Sequence, residues 1–261
     1  MGYATNNGDG YVKPKEFVKE YSIKSLVCCF SGGKDSLVAT HYVMNELKDL
    51  QIHKEILWVD TTIMLPIVEP FVREVCKKFG WKLTIVYPER TFLEIAKKKG
   101  LPRIHRRWCC DPLKMKPMFN YIKGLPPQRG AVTGLRRAES TNRKDYPFVS
   151  YFKKSYWLYS PLIEWTRKQV ETYIRANNLP NPPQYKFHLK ETCMCGAFAN
   201  QREFEILKAC FPDFWNQFVN LEKELKGYAC FNFKGKPVYA KDLDKQTLLQ
   251  DKIEGMEGKK Q

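Results

Sequence analysis

The 261-residue chain has no run of about 18 apolar residues, so no segment reads as a membrane-spanning helix. The opening stretch, Met1 to Gly10, is polar and has no apolar secretory core, which places the expected location in the cytoplasm. Internal repeats are absent, and low complexity is confined to the ends. Acidic residues are scarce: 28 stand against 44 lysines and arginines, for a net charge of +16. So large an excess calls for a polyanionic partner, either a nucleotide, a nucleic acid or both. Two things are plentiful. Hydrophobic residues make up 43% of the chain, enough for a real core and too many for a disordered protein. Nine cysteines, without an export signal, argue against a disulfide scaffold and for thiols with metal or redox roles. The length suits one large α/β domain or one domain with a small appendage.

From residue 25 onward, short apolar runs alternate with helical spacing. Ser25 to Phe30 reads as a buried strand, followed by a glycine turn and a helix whose apolar face carries Leu37, Val38, His41 and Tyr42. Ile56 to Val59 and Leu83 to Val86 read as further strands. Helices are expected over Ile67–Phe79 and Phe92–Lys99, each closed by a glycine, Gly80 and Gly100. Ala131–Leu135 and Trp157–Leu162 complete the strands, and Thr166 is placed to cap a helix running to Asn178. Strands alternating with helices imply a mainly parallel sheet. After Leu179 the texture changes: Pro180, Pro182 and Pro183 break structure, Cys193-Met194-Cys195-Gly196 makes a tight turn, and helix is expected from Gln201 to Leu225 with a break near Pro212. The expected organisation is a lead-in over 1–24, a nucleotide-binding sheet domain over 25–179 and a helical, cysteine-bearing region over 180–261.

The sharpest local signal is Ser31-Gly32-Gly33-Lys34-Asp35-Ser36, between the first strand and its helix. Two glycines let the backbone turn tightly and offer N–H groups to a phosphate, and the helix N-terminus adds partial positive charge. Lys34 can neutralise phosphate oxygens, Ser31 and Ser36 can donate hydrogen bonds, and Asp35 can help to hold Mg²⁺. The spacing is not that of a Walker A loop. The six residues look like the PP-loop of the N-type ATP pyrophosphatases, which cradles the pyrophosphate of ATP. A second block, Thr133-Gly134-Leu135-Arg136-Arg137-Ala138-Glu139-Ser140 with Arg143 beyond it, offers an anion clamp.

Together with Trp108-Cys109-Cys110, Lys114 and Pro117, and with the stretch from Pro161-Leu162 through Trp165-Thr166 to Leu179-Pro180, these motifs resemble the phosphoadenosine phosphosulfate reductase family. That family lies within the adenine nucleotide alpha-hydrolase-like superfamily. The resemblance covers about residues 25 to 215. It implies an α/β fold with a doubly wound sheet and an adenine nucleotide, ATP or an adenylyl sulfate, at the carboxyl ends of the strands. It also places Asp60, in Trp58-Val59-Asp60-Thr61-Thr62, near the nucleotide.

Cys109-Cys110 and Cys193-Met194-Cys195 are separated by the 82 residues between Cys110 and Cys193. A CC pair with a distant C-x-x-C holds a [4Fe–4S] cluster in adenylyl sulfate reductases of the family; here the second element is one residue tighter. Thiolates suit iron–sulfur or zinc. The resemblance implies Cys109, Cys110, Cys193 and Cys195 as ligands, with His188 and Cys210 keeping other sets open. Cys28, Cys29 and Cys76 read as core, and Cys230 as a tail residue.

The sulfonucleotide reductases of this family end in a Glu-Cys-Gly motif, which this sequence does not contain. Their phosphate loop is usually degenerate, whereas this one is intact. The expected chemistry is therefore adenylation: an acceptor oxygen attacks the α-phosphorus of MgATP, pyrophosphate departs on the loop, and Lys34, Asp35, Arg136 and Arg137 are the catalytic set. Ser31 to Ser36, Asp60, Gly134, Arg136 and Arg143 would bind the nucleotide, with sulfur transfer to tRNA or DNA as the setting. A sulfur donor or thiol reductant protein would be a partner, and the chain could self-associate. The alternatives are reduction of an adenylyl sulfate to sulfite and a non-catalytic nucleic-acid-binding module. The last draws on basic residues interleaved with aromatics at Arg103–Trp108, Arg136–Lys144 and Tyr151–Lys154.

Overall fold

The computed structural model describes residues 11–198, 200–225, 231–233 and 236–238. Its central strand explains the architecture. Strand β1 (Ser25–Cys29) is apolar on both faces, with Leu26 and Cys28 entering one core and Val27 the other. A strand buried on both sides needs helices above and below, which is the environment of a parallel sheet. Helix α1 (Pro14–Glu20) precedes β1, and α2 (Lys34–Glu46) follows it. Then come β2 (His53–Val59), α3 (Val68–Lys78), β3 (Leu83–Val86) and α4 (Phe92–Lys99). A π-helical turn, Asp111–Met115, runs into α5 (Lys116–Gly124) and β4 (Arg129–Val132). Strands β5 (Val149–Phe152) and β6 (Tyr156–Tyr159) form a hairpin, followed by α6 (Arg167–Ala176), α7 (Gln201–Cys210) and α8 (Pro212–Glu224). Strands β7 (Phe231–Phe233) and β8 (Lys236–Val238) pair antiparallel.

The six-stranded sheet has the order β3-β2-β1-β4-β6-β5, parallel except for β5. Strand order reverses between β1 and β4. A ligand crevice in a doubly wound sheet opens outside the carboxyl ends of the strands at this kind of reversal. Both glycine-bearing motifs of the sequence, after β1 and after β4, emerge there.

One face of the sheet is covered by a continuous core that runs from Phe17 of α1 to Phe204, Phe218 and Leu221 of α7 and α8. The other face is closed by α5 through Met118 and Ile122. The expected lead-in therefore contains a helix whose Phe17 is buried and stacked on Tyr159 at 4.5 Å. The helical break at Pro212 separates α7 from α8 as the sequence suggests, since proline cannot donate within the preceding helix. Thr166 caps α6, accepting from Gln169 N–H in a reciprocal capping box. Cys28 and Cys76 are buried and Cys29 is half-buried, as core positions; burial pushes the Cys76 thiol up to about 11. Cys230 lies outside the described residues. Among the described residues no helix is long and apolar enough to cross a membrane.

Candidate nucleotide and thiol site

The loop Ser31–Ser36 leaves β1 and enters α2 at Gly33, whose extended backbone makes it the N-cap. Gly32 has φ +82°, and a Cβ there would lie 2.6 Å from Val68 Cγ1, so only glycine fits both the backbone and the space. Ser36 Oγ donates to the Gly33 carbonyl at 2.9 Å, lies 3.0 Å from Ser31 Oγ and accepts from Ser31 N–H at 3.2 Å. The two serines thus fasten the loop to itself and hold its turn. Gly134, after β4, lies against the other side: a Cβ on it would come within 2.6 Å of the Asp35–Ser36 peptide.

The adjacent arginines diverge. Arg136 is in extended conformation and buried, and its Nε donates to Asp35 Oδ1 at 2.8 Å. Its other nitrogens reach the Trp165 carbonyl at 3.3 Å and Glu139 at 3.6 Å. Arg143 pairs with the same Glu139. Burial, and then the Asp35 charge, push the Glu139 carboxyl above its usual range. Arg137 opens a 3₁₀ turn and points elsewhere, to Glu164 at 2.9 Å and the Tyr146 carbonyl at 3.0 Å. The structure therefore joins Arg136, Arg143 and Asp35 in one network around the loop and places Arg137 outside it. Asp60 ends β2 beside β1. Its Oδ1 accepts from Thr62 N–H at 2.7 Å, and burial raises its carboxyl.

A third segment closes the loop from a direction the sequence does not advertise. Pro183 starts a 3₁₀ turn over Pro183–Phe187. Fully buried Gln184 donates from Nε2 to the Gly32 carbonyl at 3.3 Å, leaving its Oε1 without a partner. The Tyr185 hydroxyl accepts from Lys34 N–H, and the Lys34 ammonium lies 5.7 Å from the centre of the Tyr185 ring. The prolines that read only as breakers position these two contacts.

The same segment carries the second cysteine element to the phosphate loop. Thr192 Cγ2 is 3.8 Å from where a Gly32 Cβ would stand. Leu65 N–H donates to the Thr192 carbonyl at 2.9 Å, Met194 N–H donates to the Ile63 carbonyl at 2.9 Å, and Met64 bridges Cys193 antiparallel. Thr61 Oγ1 donates to Cys193 Sγ at 3.5 Å. This short pairing brings Cys193 and Cys195 to Cys109 and Cys110, which start the π-helical turn. The Cys109 thiol donates to Cys195 Sγ at 3.6 Å.

The four thiols affect one another's protons. The hydrogen bond from Cys109 lowers Cys110 to about 7, with help from Arg107, while the same bond pushes Cys109 up to about 12. Cys195 is raised to about 11 by its bond with Cys109, and Cys193 is raised well above its usual range by its bond with Cys195 and by burial. The two thiol pairs touch through Cys109 and Cys195, and negative charge on one thiol opposes its appearance on the next. That donor set suits a soft metal centre, whose positive charge lets all four ionise. Among the described residues, no group of three or more His, Cys, Asp or Glu side chains is drawn together as metal ligands. His188 and Cys210 are both exposed.

Comparison with known proteins bears on family and fold. The family model "Phosphoadenosine phosphosulfate reductase domain" matches residues 25–193, well over half the chain. An uncharacterized protein of Methanocaldococcus jannaschii is 28% identical over 249 residues, covering 90% of this chain and 56% of that protein. The chain spans about half the length of the two M. jannaschii proteins it matches. Adenosine 5′-phosphosulfate reductase 2 of Bacillus subtilis is 26% identical, covering 62% of this chain and 67% of that enzyme. In fold, the chain is similar to phosphoadenylyl-sulfate reductase of Candida auris (TM-score 0.51, 20% identity, 69% of this chain and 87% of that one). It is also similar to FMN adenylyltransferase of Candida glabrata solved with FAD and inorganic pyrophosphate (TM-score 0.50, 12% identity, 92% and 76%). The chain belongs to the phosphoadenosine phosphosulfate reductase domain family.

Proposed function

We propose that this chain binds MgATP at the carboxyl ends of β1, β2 and β4 and adenylates an acceptor, with pyrophosphate leaving on the Ser31–Ser36 loop. The observation that carries the reading is the complete loop, held open by its own serines and buttressed by Gly134. An acceptor oxygen attacks the α-phosphorus as the bond to the bridging oxygen of the β-phosphate breaks. The acceptor's proton goes to solvent and the electron pair leaves with pyrophosphate. Lys34 and the first N–H groups of α2 take the charge that builds on the leaving group. Asp35, with Glu139 beside it, would be the carboxylate to hold the nucleotide's magnesium. Arg136 fixes Asp35, and Arg143 fixes Glu139. Asp60 lines the nucleotide side of β2. Arg137 supports the turn from its pair with Glu164 rather than touching phosphate.

Cys109, Cys110, Cys193 and Cys195 would hold the [4Fe–4S] cluster, or zinc in its place; bound there, the cluster supplies a soft, redox-active centre beside the phosphates. Adenylation turns the acceptor oxygen into a leaving group that a sulfur nucleophile, brought by a donor partner, displaces as AMP. Reduced thiols fit a cytoplasmic setting.

A second reading is favoured by relatives named adenosine 5′-phosphosulfate reductases. An adenylyl sulfate would be reduced by two thiols to sulfite and AMP, leaving a disulfide. The test is product analysis on anaerobically purified protein. Pyrophosphate released from ATP, abolished by Lys34→Ala, supports adenylation; sulfite released from adenylyl sulfate with a thiol donor, and no pyrophosphate from ATP, overturns it.

A further inference from the structure

Three basic stretches are interleaved with aromatic residues in the sequence, and the structure separates them. Arg136–Arg143 is consumed by ion pairs with Asp35, Glu139 and Glu164. Lys153 and Lys154 lie in the β5–β6 turn, at the amino end of the parallel strands and so away from the site. The stretch around Arg103–Arg107 is different. No acidic residue occurs from Ile95 to Cys110, and Arg103, Ile104, His105, Arg106 and Arg107 are all exposed. Arg103 and Arg106 exchange backbone hydrogen bonds at 2.8 and 3.3 Å, which closes a tight turn. Lys97 is taken up by Glu224, but among the described residues Lys98, Lys99 and the three arginines have no carboxylate partner.

This charge is fixed to the thiol site. Trp108 donates from Nε1 to the Gly100 carbonyl at 3.1 Å, stacks on Phe92 at 5.6 Å and lies under Lys99 at 6.0 Å. It thereby ties the lysines that close α4 to the arginine turn, and the next two residues are Cys109 and Cys110. From the other cysteine element comes Phe198, 49% exposed, with the Arg107 guanidinium 5.0 Å from its ring centre. Ile104, 54% exposed, crowns the turn.

We infer that the Arg103–Arg107 turn, with Lys98, Lys99 and Phe198, is a docking surface for a nucleic-acid strand beside the thiol cluster. Unpaired guanidinium and ammonium groups bind phosphates, and the exposed Phe198 ring beside Arg107 offers a flat face for a base. An acidic protein would use the charges but leave Phe198 and Ile104 unmatched. That the docked strand is also the acceptor rests on the adenylation reading; the docking itself does not.

The test is fluorescence anisotropy on the full chain with a labelled single-stranded RNA of about 20 nucleotides, the same sequence as DNA, and a polyglutamate competitor. R103Q/R106Q/R107Q is expected to weaken RNA or DNA binding at least about tenfold. It should also flatten the slope of log Kd against log salt by about two. K153Q/K154Q should stay within about twofold of the unsubstituted protein. F198A should weaken binding without changing the salt slope, and matching circular dichroism spectra guard against misfolding. RNA and DNA arms decide which strand is preferred. The inference is overturned if the unsubstituted protein binds neither strand, if the triple variant binds as well as the unsubstituted protein, or if polyglutamate competes as strongly as RNA, which would assign the surface to an acidic protein. Lys34→Ala should keep strand binding and lose ATP. Strand binding without pyrophosphate release would support the docking surface and count against adenylation alone.

Discussion

The phosphate loop consists of six consecutive residues, whereas the thiols beside it come from two segments separated by 82 residues. Ser31, Gly33 and Ser36 bond one another within the loop, and Gln184, Tyr185 and Arg136 add bonds to Gly32, Lys34 and Asp35 from outside it. The thiols meet only because residues 61–65 pair with residues 192–194, and because the chain beyond α6 folds back onto Gly32. A site made of neighbours is set by backbone geometry and survives small changes elsewhere. A site made of distant segments depends on the docking of the whole region after Leu179. The turn of the loop should therefore fail by local substitution at its serines and glycines, its contact with the segment after β4 by substitution at Gly134 or Arg136, and the thiol grouping by loss of a tether between the two distant segments.

The largest effect is expected at Arg136, where a buried guanidinium joins loop and clamp. Arg136→Ala leaves Asp35 unpaired and should cost about 3 kcal/mol in denaturant unfolding, together with ATP binding. Asp35→Asn combined with it should be far from additive; additivity would show that the two motifs are energetically separate. Next is Gly134→Ala, whose methyl group would run into the Asp35–Ser36 peptide. About 1–3 kcal/mol of overpacking and loss of nucleotide affinity are expected, with iron content retained. If iron is lost with the nucleotide, the two halves of the site are not separable in this way.

A smaller, scaffold-only effect is expected at Glu55, buried in β2 and away from both halves. Burial pulls its carboxyl up, but bonds from Tyr121, His53, Thr84 and Lys82 outweigh this and leave it lowered. A lowered native carboxyl contributes stability above the unfolded value of about 4.3, and that contribution disappears as pH falls through the lower native value. Glu55→Gln should cost about 1–2 kcal/mol at neutral pH and less in acid, with both halves of the site intact. A pH-independent cost would contradict the ionised, fourfold-bonded carboxylate. The smallest stability effect is expected for Cys195→Ser in metal-free protein, below about 1 kcal/mol. The same change should remove iron, acid-labile sulfide and visible absorbance from anaerobically prepared protein. A colourless protein with stoichiometric zinc would replace the cluster with a zinc site.

The sequence makes the local parts of this molecule readable and leaves the long-range ones hidden. The phosphate loop, the Thr166 cap and the glycine stops at Gly80 and Gly100 each follow from a few adjacent residues. Helix α1 escapes such reading because only Phe17 and Val18 of its seven residues, besides Pro14, are buried. Helix α5 is masked by Pro112, Pro117 and the π-helical entry. Gln184 and Tyr185 follow three prolines, and nothing in that spacing reveals that their partner is Gly32 or Lys34. Arg136 and Arg137 are equivalent as letters. The backbone separates them, since one is extended toward Asp35 and the other begins a 3₁₀ turn toward Glu164. The cysteine grouping was legible only through resemblance to a family, because two thiol pairs so far apart have no local signature of meeting.

Whether the Ser31–Ser36 loop receives the pyrophosphate end of ATP is tested most directly by calorimetric titration with ATP, AMP and inorganic pyrophosphate in the presence of Mg²⁺. ATP and pyrophosphate should compete for one site, AMP should bind at least about tenfold more weakly, a difference of about 1.4 kcal/mol, and Lys34→Ala should remove the preference. AMP binding as tightly as ATP, with no competition from pyrophosphate, would contradict it.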